Sequence, residues 1–159
     1  MVLGFVLVFG RIAIAANTAT QSVSAVLPGI NELSATGSPT LTVAAPAAGD
    51  DLAAVTDSSS STYQFTTNQN SRKITGQITT GGDMPTGLTL DVTLTTTGLA
   101  SGSWSAVSNV VLDSTAKTLA TGGKGRTGTV KAITYVLTPT LDADPATYNR
   151  TITLTLTST

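Results

Sequence analysis

The sequence predicts an all-β sandwich, and three features of its 159 residues carry that expectation. Threonine makes up about a fifth of the chain. β-Branched side chains lose rotamer freedom against a preceding helical turn and fit a half-buried pleated sheet well. Apolar and polar residues alternate in short runs, the period of a strand with one buried face. Gly, Pro, Asn and Asp clusters separate those runs, and no 3.6-residue period persists. The length suits one domain with a real core. The expected fold is therefore a single antiparallel β-sandwich over residues 17–159, immunoglobulin-like or jelly-roll-like, with about eight or nine strands and Greek-key connections.

The opening stretch, MVLGFVLVFGRIAIAA, is set apart. Its apolar run from Val2 to Phe9 and the small-x-small pattern Ala13-Ile14-Ala15 fit a cleaved secretory leader over residues 1–16. It lacks the basic start of such leaders, and Arg11 breaks the run well short of the ~20 apolar residues of a spanning helix. The alternative is an apolar strand retained in the mature chain.

From residue 17 the elements follow in order. Val23, Ala25 and Leu27 alternate before Pro28-Gly29 bends the chain, and Leu41 and Val43 mark a second strand. Residues 44–61, rich in Ala, Asp and Ser, are expected as a long loop. Tyr63 and Phe65 make a third strand that stops at Asn68-Gln69-Asn70-Ser71, and Ile74, Gly76 and Ile78 make a fourth. Leu88, Leu90, Val92 and Leu94 alternate without error. Trp104 stands in a loop-like stretch, 98–105, followed by short apolar pieces at 110–112 and at Leu119. Ile133, Tyr135 and Leu137 share one face of a longer strand. After a turn at Asp142-Ala143-Asp144-Pro145 comes NRTITLTLTST, in which Ile152, Leu154 and Leu156 form an apolar face. Such a strand must pair inside its own sandwich or with a neighbour. The middle of a sheet is its expected place.

Composition excludes several kinds of chemistry. Only 11% of residues are charged and the formal net charge is −1, so no basic stripe exists to gather phosphates, and nucleic acid is not an expected partner. No cysteine is present, hence no disulfide framework and no thiolate metal site. Histidine is absent too, which removes imidazole bases, Ser–His triads and His–zinc sites. No catalytic residue and no cofactor is expected. A surface so poor in charge must be coated with hydroxyls, which suits an extracellular wall or fibre.

Three motifs resemble chemical signatures. Gly123-Lys124-Gly125-Arg126-Thr127-Gly128 spells the dinucleotide fingerprint, but strand-like residues follow it where the motif needs a helix. Ser114-Thr115-Ala116-Lys117 matches the S-x-x-K of penicillin-recognising enzymes without the helix or the S-D-N element they require. Asp142 and Asp144 resemble part of a calcium loop, and turn chemistry accounts for them equally. Asn149-Arg150-Thr151 is a glycosylation sequon, with meaning only in a host that uses it. Trp104 is weighed separately: exposed, it could stack on a sugar ring or anchor a partner, although a lone Trp is more often core.

The pieces INELSATGSPTLTV, STYQFTTNQNSRKITGQI, GLTLDVTL and YNRTITLTLT resemble small secreted bacterial β-sandwich proteins, similar to pilin and biofilm-fibre subunits with an immunoglobulin-like fold. The resemblance covers most of residues 17–159 as a pattern. It implies assembly by strand exchange, with no cofactor and no catalysis. Many chaperone-assembled pilins carry a disulfide, from which this chain departs. The expected function is a secreted structural subunit of a filament, polymerising head-to-tail with copies of itself. The assembly strand would centre on Val23, Ala25 and Leu27. The alternative is a monomeric cell-surface module that binds carbohydrate or another surface through Trp104.

Overall fold

The computed structural model describes residues 18–159. The leader expected over residues 1–16 lies outside the described residues. Within them all regular structure is extended, in eleven strands. These are β1 (Asn31–Thr36), β2 (Val55–Asp57), β3 (Thr62–Thr67), β4 (Arg72–Thr80), β5 (Leu88–Leu94) and β6 (Trp104–Ala106). They continue with β7 (Val110–Val111), β8 (Lys117–Gly122), β9 (Gly125–Arg126), β10 (Lys131–Pro139) and β11 (Thr151–Ser158). Among the described residues no helix is long and apolar enough to cross a membrane.

Two antiparallel sheets pack face to face as a β-sandwich. The larger has the spatial order β1-β3-β10-β5-β7, with β2 beside β10 and β9 beside β3; the smaller runs β11-β4-β8-β6. Side-chain alternation fixes the register at the centre of the larger sheet. Ile133 lies opposite Leu94, Tyr135 opposite Val92 and Leu137 opposite Leu90, and all six are buried. A slip of one residue would turn this whole set to solvent. The facing sheet contributes Ile74 and Ile78 from β4, Trp104 from β6, and Leu119 and Ala120 from β8. Burial of a side chain the size of Ile, Leu or Val stabilises by ~1.5–3 kcal/mol, so this shared core is what holds the two layers together.

β4 shows why a glycine sits within an apolar face. A Cβ on Gly76 would lie 2.7 Å from Leu119 Cδ1 and 3.3 Å from Leu154 Cδ2, so the missing side chain makes room for both leucines. The pairing of β4 with β11 shifts register between Thr151 and Ile152. There the Thr79 hydroxyl lies 2.9 Å from that of Thr153 and donates to the Thr151 carbonyl at 3.3 Å, bridging the irregularity.

Several expected elements are corrected. Val23, Ala25 and Leu27 lie outside any strand, as do Leu41 and Val43. The loop expected over 44–61 contains β2, and β1 forms at 31–36, where no strand was expected. Trp104 begins β6 and does not lie in a loop. The closing strand is not interior among the described residues: there β11 is an edge of the smaller sheet, paired with β4. The count exceeds eight or nine because β2, β6 and β9 are ladders of two or three residues, too short to leave a period in the sequence.

Candidate functional site

Two features of the described residues stand out, an unpaired arm and an open sheet edge. The arm is residues 18–29, exposed throughout. Its large apolar residues are almost wholly in solvent: Val23 is 86% exposed, Val26 91% and Leu27 80%. Among the described residues, positions 18–27 make no hydrogen bond to the sandwich. Val23, Ala25 and Leu27 thus alternate without a strand partner.

The arm is tied down where it meets the fold. Asn68 donates from Nδ2 to the Pro28 carbonyl at 2.8 Å, and its Oδ1 accepts from the Ile30 N–H at 2.8 Å. Its backbone N–H donates to the Ile30 carbonyl at 3.3 Å. One residue later, Asn31 accepts from the Thr67 hydroxyl at 2.7 Å and donates to Gln69 Oε1 at 3.3 Å. The end of β3 therefore brackets the start of β1 and fixes where the arm departs. Asn68 reads in the sequence only as one member of a polar turn, because its partners lie 38 and 40 residues away.

The open edge is β11. Its inward residues Ile152, Leu154 and Leu156 pack on the core but stay half-buried, whereas Ile74 and Ile78 on the neighbouring β4 are 0% and 3% exposed. Thr151, Thr153 and Thr155 face solvent. β11 comes close to β1, the corresponding edge of the larger sheet, without pairing with it. Leu33 of β1 is half-buried, and Ala35 is exposed although it lies opposite the buried Tyr63. Among the described residues the core is thus incompletely closed along this seam.

Trp104 is placed differently from the surface role considered above. The ring is buried at 7% exposure, and its Nε1 donates to the Gly123 carbonyl at 3.1 Å. Phe65 packs against it with ring centroids 4.5 Å apart, and Gly122 lies so close that a Cβ there would sit 2.5 Å from ring carbons. No ring face is left on which a sugar could stack.

The other motifs resolve into structure. Gly123–Gly128 carries the chain from β8 in the smaller sheet to β9 in the larger, with no helix after it, and Lys124 and Arg126 point to solvent. Lys117, of the S-x-x-K match, pairs with Asp113 at 2.8 Å, and that carboxylate also accepts from the Thr115 N–H. These contacts hold the Asp113 carboxyl below its ordinary pKa. Asp57 is lowered likewise by the Ser60 hydroxyl and the Ser59 and Ser60 amides, a turn arrangement. Asp142 and Asp144 are exposed, and the described residues contain no group of three or more acidic, His or Cys side chains able to hold a metal. A hollow beside β9, lined by Thr66, Asn68, Gly102, Lys124 and Arg126, contains no carboxylate to work with its two cations.

No protein-family model, curated protein or solved structure matches this chain.

Proposed function

We propose that the chain is a secreted structural subunit of an extracellular filament or pilus, which polymerises with copies of itself by adding its N-terminal arm to the next subunit as an extra strand. The observation that carries this reading is the arm itself. Val23, Val26 and Leu27 are 80–91% exposed on a segment that pairs with no strand among the described residues. Val23 and Leu27 share one face of an extended strand, and covering them stabilises by ~1.5–3 kcal/mol each, which a neighbouring subunit can do. Main-chain hydrogen bonds would supply affinity, and alternate side chains would set register. A head-to-tail contact of this kind need not close, and an unclosed contact propagates into a fibre.

A hydroxyl-coated surface and the leader-like residues 1–16 support secretion as part of the same reading. The role is structural, not catalytic: a chain without histidine or cysteine supplies neither the usual base nor a thiol nucleophile. The carbohydrate-binding alternative loses its anchor with Trp104 buried. Deletion of residues 17–27 tests the reading. Filaments formed as readily without the arm would refute it, whereas a folded chain that stays monomeric would support it.

A further inference from the structure

We infer that the chain cuts its own backbone between Asp144 and Pro145 in mildly acidic solution. The Asp144 carboxylate is the nucleophile, and the Tyr148 hydroxyl is the donor that steadies the attacked carbonyl oxygen. This cut is independent of the arm and of assembly.

An aspartate before a proline brings together two groups that such a cut needs. Attack of the side-chain carboxylate on its own carbonyl carbon closes a five-membered ring, so the chain itself holds the reacting atoms together. The proline nitrogen carries no hydrogen and belongs to a tertiary amide; as a secondary amine it takes up a proton readily when it leaves. The fold adds a third group. The Tyr148 hydroxyl donates to the Asp144 carbonyl oxygen at 2.7 Å. That oxygen gains negative charge as the carboxylate attacks, and a positioned donor acts most strongly on developing charge. Tyr148 is itself held: the Arg150 guanidinium lies 5.8 Å from its ring centre, and Arg150 donates from Nη2 to the Asp83 carbonyl at 2.9 Å.

The loop is pinned on both sides of the bond. Upstream, the Ala143 N–H donates to the Thr140 carbonyl at 3.1 Å, and the Thr140 N–H donates to the Gly87 carbonyl at 2.7 Å. A Cβ on Gly87 would lie 2.3 Å from the Ala143 nitrogen, so the two turns touch there. Downstream, β11 is paired with β4 along its whole length. Asp144 and Pro145 lie in no strand and are exposed, so water reaches the bond. Asp142, Asp83 and Arg150 are the charged residues placed about it.

The step balances without an oxidant or reductant. A carboxylate oxygen of Asp144 bonds to the Asp144 carbonyl carbon, and the C–N bond to Pro145 breaks. The nitrogen keeps that electron pair and takes a proton from the acidic solution, becoming a new ammonium terminus. Water then opens the cyclic anhydride, restoring the side-chain carboxyl and leaving an α-carboxyl on Asp144. One water is consumed, and each molecule reacts once. After the cut, β11 is joined to the sandwich only by its ladder with β4 and by the packing of Ile152, Leu154 and Leu156.

The test holds the full chain at about pH 4, folded or unfolded in urea, and follows intact masses over time. Asp144→Asn, Pro145→Ala and Tyr148→Phe are treated alike, with circular dichroism to verify that each is folded. The folded native chain is expected to release fragment 145–159 at least about tenfold faster than the unfolded chain. Tyr148→Phe should fall to the unfolded rate, and Asp144→Asn and Pro145→Ala should stay whole. Equal rates for folded and unfolded native chain, or a Tyr148→Phe rate equal to the native one, would show only the ordinary acid lability of an Asp-Pro bond and overturn the inference. A native chain that stays intact, or one cut at another bond, would overturn it as well.

Discussion

Trp104 and Phe65 meet across the sandwich with ring centroids 4.5 Å apart and planes tilted by 49°. One belongs to β6 of the smaller sheet and the other to β3 of the larger, so this contact joins the two layers. Removing the indole should leave a cavity and strand the Gly123 carbonyl. Trp104→Ala is expected to cost ~3–5 kcal/mol, measured as a lowered urea midpoint. As the sole tryptophan, Trp104 should also shift its fluorescence to the red on unfolding.

Gly122 is held to glycine by that same ring and not by its backbone. A Cβ would lie 2.5 Å from Trp104 ring carbons, and the residue does not have a positive φ. Gly122→Ala should destabilise by ~1–3 kcal/mol through overpacking. In a Trp104→Ala background most of that penalty should vanish. A double-mutant cycle on chemical unfolding measures the coupling, and additive effects would rule out this cause.

High pH should weaken the fold. Burial pushes the Tyr63 hydroxyl up to about 12, where it donates to the Thr95 carbonyl at 2.9 Å, and burial also raises Tyr135. An unfolded tyrosine titrates near 10. The raised folded-state value means the stabilisation is complete below pH ~10 and is lost as pH rises from there towards 12. Ionisation of the Tyr63 hydroxyl drives the loss over that window. Urea midpoints at pH 8, 10 and 11 should fall, and Tyr63→Phe should flatten the decline.

The strands legible in the sequence are those whose alternation reports one apolar face, β3, β4, β5, β10 and β11. Leu41 and Val43 show that the signal is not sufficient: they are half-buried but join no ladder. β1 leaves no alternation to read because NELSAT, an edge strand, buries only Leu33 in part. The edge position of β11 was equally hidden, since TITLTLT reads the same whether one or both of its hydrogen-bonding sides are paired. Trp104 reads as part of a loop because Gly102 and its serine neighbours look like turn chemistry. In the fold Gly102 does turn the chain, at φ +82°, immediately before β6 begins. The Asn68 clamp is a contact distant in sequence and leaves no local pattern.

That clamp yields its own prediction. Asn68→Ala leaves the Ile30 N–H and the Pro28 carbonyl without their side-chain partner and should cost ~0.5–1.5 kcal/mol. Asn68→Asp keeps the acceptor for Ile30 and loses the donor to Pro28. If both hydrogen bonds hold the arm's root, proteolysis near residues 28–30 should be fastest for Asn68→Ala, intermediate for Asn68→Asp and slowest for the native chain.

The central claim is that exposed apolar residues on the arm drive self-assembly. Its most direct test is size-exclusion chromatography with negative-stain microscopy on purified residues 17–159, beside a Val23→Ser/Leu27→Ser variant. Filaments or an oligomer ladder from the native chain, and a folded monomer from the variant, are the expected results. Identical elution of the two as monomers, or filaments of equal length from both, would contradict the account.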